Sequence, residues 1–183
     1  MGMYKKEQLV QITYERFGKN MDVLTQKITD YQTENNMKFN MVVPLLRSGA
    51  FPAFHIAARL EIKNIIPVYY MYQNGKLIDR IEIPKITYAL PEELNVLICD
   101  ACLTSGTTLK SALADLKSLY PTAKFYAAIT WLEIGHDSIP GIEKVFSGAY
   151  TSEKEPIVGD VINGLVVAPW EDLEVDWNEI KGY

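Results

Sequence analysis

The sequence predicts an α/β fold, a doubly wound and mostly parallel sheet in one domain, and three observations predict it. Short apolar runs alternate with helical patterns, the arrangement that builds parallel βαβ units. Those runs are nearly free of polar residues, as strands covered on both faces are. The chain has 183 residues, 48% of them hydrophobic and 22% charged, which are ordinary globular values at a length suited to one core. No internal repeat, low-complexity tract or Ser/Gly linker divides it.

The elements follow in order. From Met21, apolar residues recur at Leu24, Ile28 and Tyr31, which predicts a helix with Asn20 as its N-cap and the polar cluster Thr33 to Asn36 as its end. Met41 to Leu46 predicts a buried strand, followed by a loop of Arg47, Ser48 and Gly49. Pro52 then suits the first turn of a helix reaching about Leu60. Ile65 to Tyr72 predicts a strand. Asn74-Gly75 predicts a hairpin, since both residues tolerate positive φ, and Ile81 and Ile83 alternate with polar neighbours in the returning strand. Val96 to Cys99 is a further buried strand ending at Asp100. A Thr/Ser/Gly loop leads into a helix with Leu109, Leu113, Leu116 and Leu119 on one face. Phe125 to Trp131, Val145-Phe146 and Leu165 to Ala168 are the remaining strands.

Charge and termini narrow the function classes. Eighteen basic against 23 acidic residues give a net charge of −5, without the footprint of a nucleic-acid binder. The longest apolar run, Ile65 to Tyr72, is far short of the ~20 residues a membrane helix needs. The start, MGMYKKEQ, lacks a signal peptide's apolar stretch and the Ser/Thr of a myristoylation signal. Two cysteines make no disulfide framework. A soluble cytoplasmic protein is the expectation.

Chemistry is expected at the carboxyl ends of the strands, where open parallel sheets bind ligands. In VLICDACLTSGTTL, Val96 to Leu109, an acidic residue closes a buried strand, and Thr104, Ser105, Gly106, Thr107 and Thr108 open a helix. Free N–H groups at a helix start, a glycine permitting close approach and four hydroxyls make a phosphate cradle. No Lys follows the glycine as in a P-loop, and no G-x-G-x-x-G exists. Helix capping alone would explain one or two of these hydroxyls, not four.

This stretch resembles the phosphoribosyl-pyrophosphate (PRPP) signature of type I phosphoribosyltransferases. VPLLRSGAFPA, Val43 to Ala53, resembles the family's pyrophosphate loop. LYPTAKFYAAITW, Leu119 to Trp131, resembles the strand beside the base in xanthine/hypoxanthine-type members, and VVAPWED resembles their closing Pro-Trp segment. The resemblance implies N-terminal helices over 1–37, a core over 38–135 with a flap at about 70–85, and tail strands with a small hood over 136–183. It implies transfer of a phosphoribosyl group from PRPP to a nucleobase, purine favoured, releasing pyrophosphate. Arg47, Ser48 and Gly49 would hold the pyrophosphate, and Asp100 the ribose hydroxyls. Residues Thr104 to Thr108 would hold the 5-phosphate, and Trp131 and Trp170 the base. Mg²⁺ would come with PRPP, with no protein ligand assigned, and a homodimer is expected. Lys76 and Arg80 would ride on the flap.

The chain departs from the purine-type pattern at three positions. Asp100-Ala101 keeps one carboxylate of an acidic pair, Thr104 replaces an Asp that handles the base proton, and Trp131 replaces a Lys. One Asp and a Leu-Arg-Ser-Gly loop lean towards uracil-type members, whose Gly/Asp-rich carboxy-terminal loop is missing. A non-catalytic PRPP- or nucleotide-binding regulator is the alternative. Cys99 and Cys102 form C-x-x-C, but Cys99 sits in a buried strand and only His55 and His136 exist to complete a zinc site, so a core role is expected. Trp131 and Trp170 have a core role as their competing reading, Lys76 and Arg80 a solvated hairpin face. Glu171, Asp172, Glu174 and Asp176 are expected to form a solvated acidic tail.

Overall fold

The computed structural model describes residues 5–73, 76–84, 86, 90–152 and 161–180. A 3₁₀ turn (Lys6–Gln8) and strand β1 (Leu9–Gln11) precede helix α1 (Tyr14–Glu34). Strand β2 (Met41–Leu46) leads into α2 (Ala50–Arg59), then β3 (Asn64–Ile65), β4 (Val68–Gln73) and β5 (Lys76–Ile81). Strand β6 (Asn95–Leu103), α3 (Thr107–Leu119), β7 (Lys124–Glu133) and β8 (Val145–Ser152) complete the core. Strands β9 (Ile162–Asn163) and β10 (Leu165–Val167) and helix α4 (Leu173–Ile180) follow.

The large sheet has the order β5-β4-β2-β6-β7-β8-β9, with β3 also paired to β2. Every pairing in it is parallel except β4 with β5. Side chains alternate between faces along a strand, and both faces are covered. Met21, Leu24 and Ile28 of α1 and Ile56 of α2 pack on Val42, Leu97 and Ala128. Leu109, Ala112, Leu113 and Leu116 of α3 pack on Val43, Ile98 and Ala127. The sheet is therefore doubly wound and mostly parallel, as the apolar runs require.

Several boundaries move. Helix α1 starts at Tyr14, because Thr13 accepts the Arg16 N–H at 3.2 Å and caps it; Asn20 lies inside the helix. Phe17, one turn before Met21, continues the same apolar period and packs against both the core under α1 and the hood cluster. The strand expected over Ile65 to Tyr72 is broken at Ile66-Pro67 into β3 and β4. Strand β6 does not end at Asp100 but pairs with β7 as far as Leu103. The acidic tail is helix α4: Asp172 Oδ1 accepts the N–H groups of Glu174 and Val175, and Lys6 pairs with Glu174. The Asn74-Gly75 turn lies outside the described residues, but β4 and β5 pair antiparallel on either side of it.

Above the carboxyl ends of the large sheet, β1 and β10 pair in parallel as a two-stranded hood. Its cluster joins Ile12, Ile162 and Ala168 to Ala101 and Trp131 of the main sheet. No helix among the described residues is long and apolar enough to cross a membrane.

Candidate functional site

Two strand ends and the hood enclose the site. After β2, the Leu46–Arg47 peptide is cis, and Gly49 N–H donates to Leu45 O at 2.8 Å. Gly49 is demanded by contact. A Cβ there would fall against Cys99 O and within 2.5 Å of Leu45 O, so the loop lies directly on β6. That contact brings Ser48 to Asp100: Ser48 Oγ donates to Asp100 Oδ1 at 2.9 Å, and the Ala101 N–H donates to the same oxygen at 2.8 Å. Oδ2 receives no hydrogen bond among the described residues. Arg47 is exposed beside this pair, without an ion-pair partner among the described residues.

Burial pushes the Asp100 carboxyl up to about 7, against the opposing pull of the Ser48 and Ala101 hydrogen bonds, and the charge of Glu171 adds to the rise. Glu171 belongs to a hood turn in which its Oε2 accepts the Ala168 N–H at 2.9 Å.

The loop after β6 forms a cleft of about 90 Å³ lined by Asp100, Cys102 and residues 103–109. Gly106 has φ 69°, a left-handed turn that aims the start of α3 into the cleft. No acidic side chain occupies the first turn of α3, so its positive dipole end is not neutralised there, while the Thr107 N–H donates to Ser105 Oγ at 3.4 Å. Ser105 Oγ and Thr107 Oγ1 stand 3.1 Å apart, and Thr104, Ser105 and Thr107 are exposed.

A narrower crevice of about 50 Å³ continues under the hood. Cys102, Thr104, Trp131, Glu133, Thr151 and Gly164 to Val166 line it, so the two cavities share Cys102 and Thr104. Trp131 contributes from within the core. It is 0% exposed, its Nε1 donates to Asn20 Oδ1 at 3.0 Å, and Phe17 and Trp170 pack against its ring. Trp170 stacks on Phe51 at 4.0 Å and meets Phe17 edge-on at 5.0 Å; its buried Nε1 has no partner among the described residues. These rings bind the hood to the start of α2.

Other expected residues lie elsewhere. Arg80 donates to both oxygens of Asp115 on α3, and Tyr70 Oη donates to Asp115 Oδ2 at 2.8 Å, so the hairpin is fastened along α3. Lys76 is exposed. Cys99 lies in the core beneath α1 and α2, where burial raises its thiol, while Cys102 lines the cavities; neither forms a disulfide. Sequence reasoning passed over Glu133 and placed Glu171 in a solvated tail, whereas its carboxylate caps the Ala168 N–H in the hood. The rule that singles out Asp100, a carboxylate closing an apolar strand, would have found Glu133 at the end of β7.

No family model matches the chain, and no curated protein matches it. Solved structures do. A purine phosphoribosyltransferase from Pyrococcus horikoshii is 19% identical with a TM-score of 0.64, over 90% of this chain and 95% of that one. The Helicobacter pylori xanthine-guanine-hypoxanthine phosphoribosyltransferase is 18% identical with a TM-score of 0.63, over 96% and 99%. A hypothetical protein from Neisseria gonorrhoeae with bound ppGpp is 21% identical with a TM-score of 0.61, over 96% of each chain. The chain has the type I phosphoribosyltransferase fold that its motifs resemble.

Proposed function

We propose that this chain transfers the 5-phosphoribosyl group of PRPP to a nucleobase, purine favoured, yielding a nucleoside 5′-monophosphate and pyrophosphate. One observation carries the reading: an anion cradle at a helix start adjoins a crevice under the hood, both at the carboxyl ends of a parallel sheet. A 5-phosphate and a base edge need that adjacency. In the reaction the C1′–oxygen bond to pyrophosphate breaks, and a bond from C1′ to a ring nitrogen forms. Residues 104–108 anchor the 5-phosphate. Asp100 Oδ2 accepts a ribose hydroxyl, with Oδ1 held by Ser48 and Ala101. Arg47 and the 48–49 amides bind the leaving pyrophosphate.

Mg²⁺ is the cation this reading implies, carried by PRPP's own oxygens with Asp100 as the carboxylate that would neighbour it. When bound, the cation neutralises charge on the departing pyrophosphate. A cytoplasmic homodimer that uses only small-molecule substrates, without nucleic-acid or membrane partners, belongs to the same proposal. Sedimentation of the purified chain tests the oligomer.

A second reading, a nucleotide-binding regulator without turnover, is favoured by one observation. Ala101 stands where a second carboxylate is expected and is buried beneath the hood beside Ala168. The Neisseria neighbour with bound ppGpp fits that reading as well. Pyrophosphate release with PRPP, Mg²⁺ and a panel of bases separates the two. Release with a purine, lost in Arg47→Ala, supports transfer, whereas PRPP binding without release from any base supports the regulator.

A further inference from the structure

A run of aromatic rings leads from the crevice to the loop after β2. Trp131 lines the crevice, Trp170 of the hood packs against it, and Phe51 lies nearly flat on Trp170, with centroids 4.0 Å apart and planes 12° apart. Trp170 is a fixed platform, because Phe17 meets it edge-on at 5.0 Å from the other direction. Phe51 is the open end of the run. With 46% of the residue exposed, burial is a weak reason for a phenyl ring there, and the stack is the contact that sets its direction. Its place in the chain gives the stack a consequence. Phe51 stands in the first turn of α2, and that turn is tied to the 47–49 loop: the Ala50 N–H donates to Arg47 O and the Ala53 N–H to Gly49 O, each at 3.1 Å. The Arg47 side chain has no ion-pair partner among the described residues, so the loop backbone and the turn beyond it decide where its guanidinium stands.

We infer that Phe51 is a positioning residue: its stack on Trp170 fixes the first turn of α2 against the hood and so holds Arg47 in register with the crevice. The ring touches neither the crevice nor the cradle lining. It acts through the backbone it sits on, between the group that receives the leaving pyrophosphate and the wall that receives the base. Transfer needs both at once, and an error of about 1 Å in such a relation costs on the order of 100-fold in rate. Planarity is what the position asks for. An aliphatic side chain of similar bulk covers Trp170 but leaves the turn free to slide across it, whereas any flat ring keeps the register. The inference deepens the proposed function and rests on it.

The test compares wild type with Phe51→Leu and Phe51→Tyr. It measures pyrophosphate release with PRPP, Mg²⁺ and a purine base, together with calorimetric affinity for ribose 5-phosphate. Phe51→Leu should lower kcat by about 10- to 100-fold with little change in the KM for the base, because Arg47 serves the departing group and not the ground state. Ribose 5-phosphate affinity should stay within about twofold of wild type, since the cradle is built elsewhere. Phe51→Tyr, which keeps a flat ring, should restore kcat. Phe51→Ala gives the same reading if Phe51→Leu does not fold. Wild-type kcat in Phe51→Leu overturns the inference, and so does a folded Phe51→Tyr that is as slow as Phe51→Leu. A parallel loss of ribose 5-phosphate affinity and kcat in Phe51→Leu overturns it too, since it marks a general structural role. Wild type that binds ribose 5-phosphate yet releases no pyrophosphate with any base overturns the transfer reading, and the inference falls with it.

Discussion

The cradle at residues 104–108 and the crevice under the hood share Cys102 and Thr104, yet they are built in opposite ways. The cradle comes from one contiguous stretch of backbone N–H groups, a left-handed glycine and hydroxyls. The crevice gathers β6, β7, β8 and β10, and its walls are side chains held by distant packing. A backbone site depends on loop path and tolerates changes in many side chains. A packed site couples ligand recognition to the stability of the hood. Mutations on the two sides should therefore separate stability from binding differently.

The largest effect is expected at Trp131. It is 0% exposed and hydrogen-bonded to Asn20, so Trp131→Ala should destabilise the fold by about 3–5 kcal/mol in urea titrations. Base affinity should fall with stability, because the crevice loses its wall. A variant that keeps wild-type stability while losing only base affinity would show that the indole serves the ligand and not the core.

Gly49 tests the cradle side. Its close approach to Cys99 O and Leu45 O is a backbone contact that no rotamer relieves. Gly49→Ala should cost about 1–3 kcal/mol, the range for overpacking, and should misplace Ser48 relative to Asp100. Ribose 5-phosphate affinity and melting temperature report the two effects. Unchanged binding alongside lowered stability would detach the 47–49 loop from the ribose site.

Asp100 shows how the two sides meet. Its carboxyl is raised from 3.8 to about 7, chiefly by burial, so its charged form is disfavoured in the folded chain. An unfolded Asp ionises near 3.8, so this group's contribution to stability is fully present below that pH and is lost as pH rises through about 7. Asp100→Asn should therefore leave stability almost unchanged near pH 4 and raise it by about 1–3 kcal/mol at pH 8. PRPP affinity should move the other way. It should strengthen more steeply in wild type as pH rises through 7 than in Asp100→Asn, whose weaker binding keeps only the pH dependence of PRPP's own phosphates. Parallel pH dependence of stability in both proteins would place the titration elsewhere.

These contrasts also explain how much was legible in the sequence. The strands and the cradle were visible because their information is local: apolar runs, and Thr104 to Thr108 after Asp100. The start of α1 was missed, although Phe17 continues the period one turn before Met21 and Thr13 is the capping signal. Strand β6 was read short because Ala101 and Cys102 gave no sign of pairing with β7. Helix α4 was hidden by its acidic residues, although Asp172 is its capping signal. The crevice was least legible. Glu133, Thr151 and Gly164 come together only through the parallel register and the hood, which no local pattern states.

The smallest effect concerns the hairpin, which the resemblance casts as a flap over the site. Arg80 instead meets Asp115, and Tyr70 and Tyr72 reach Asp115 and Ser111 on α3, the helix whose first turn forms the cradle. The Arg80 pair is largely exposed, with 52% of the arginine side chain accessible, so screening by water leaves it worth about 0–1 kcal/mol. Tyr70 is buried, and its phenol, raised by burial and by Asp115, remains a hydrogen-bond donor to that carboxylate at any ordinary pH. Tyr70→Phe should accordingly destabilise more than Arg80→Ala, because it removes a hydrogen bond made to a carboxylate by a buried phenol, whereas the Arg80 contact is screened by water. Neither change touches the anion site, so ribose 5-phosphate affinity should hold in both. If Arg80→Ala keeps full stability but lowers pyrophosphate release severalfold, Arg80 leaves Asp115 during turnover. The hairpin would then belong to the moving part of the site and not to the scaffold that holds the cradle in place.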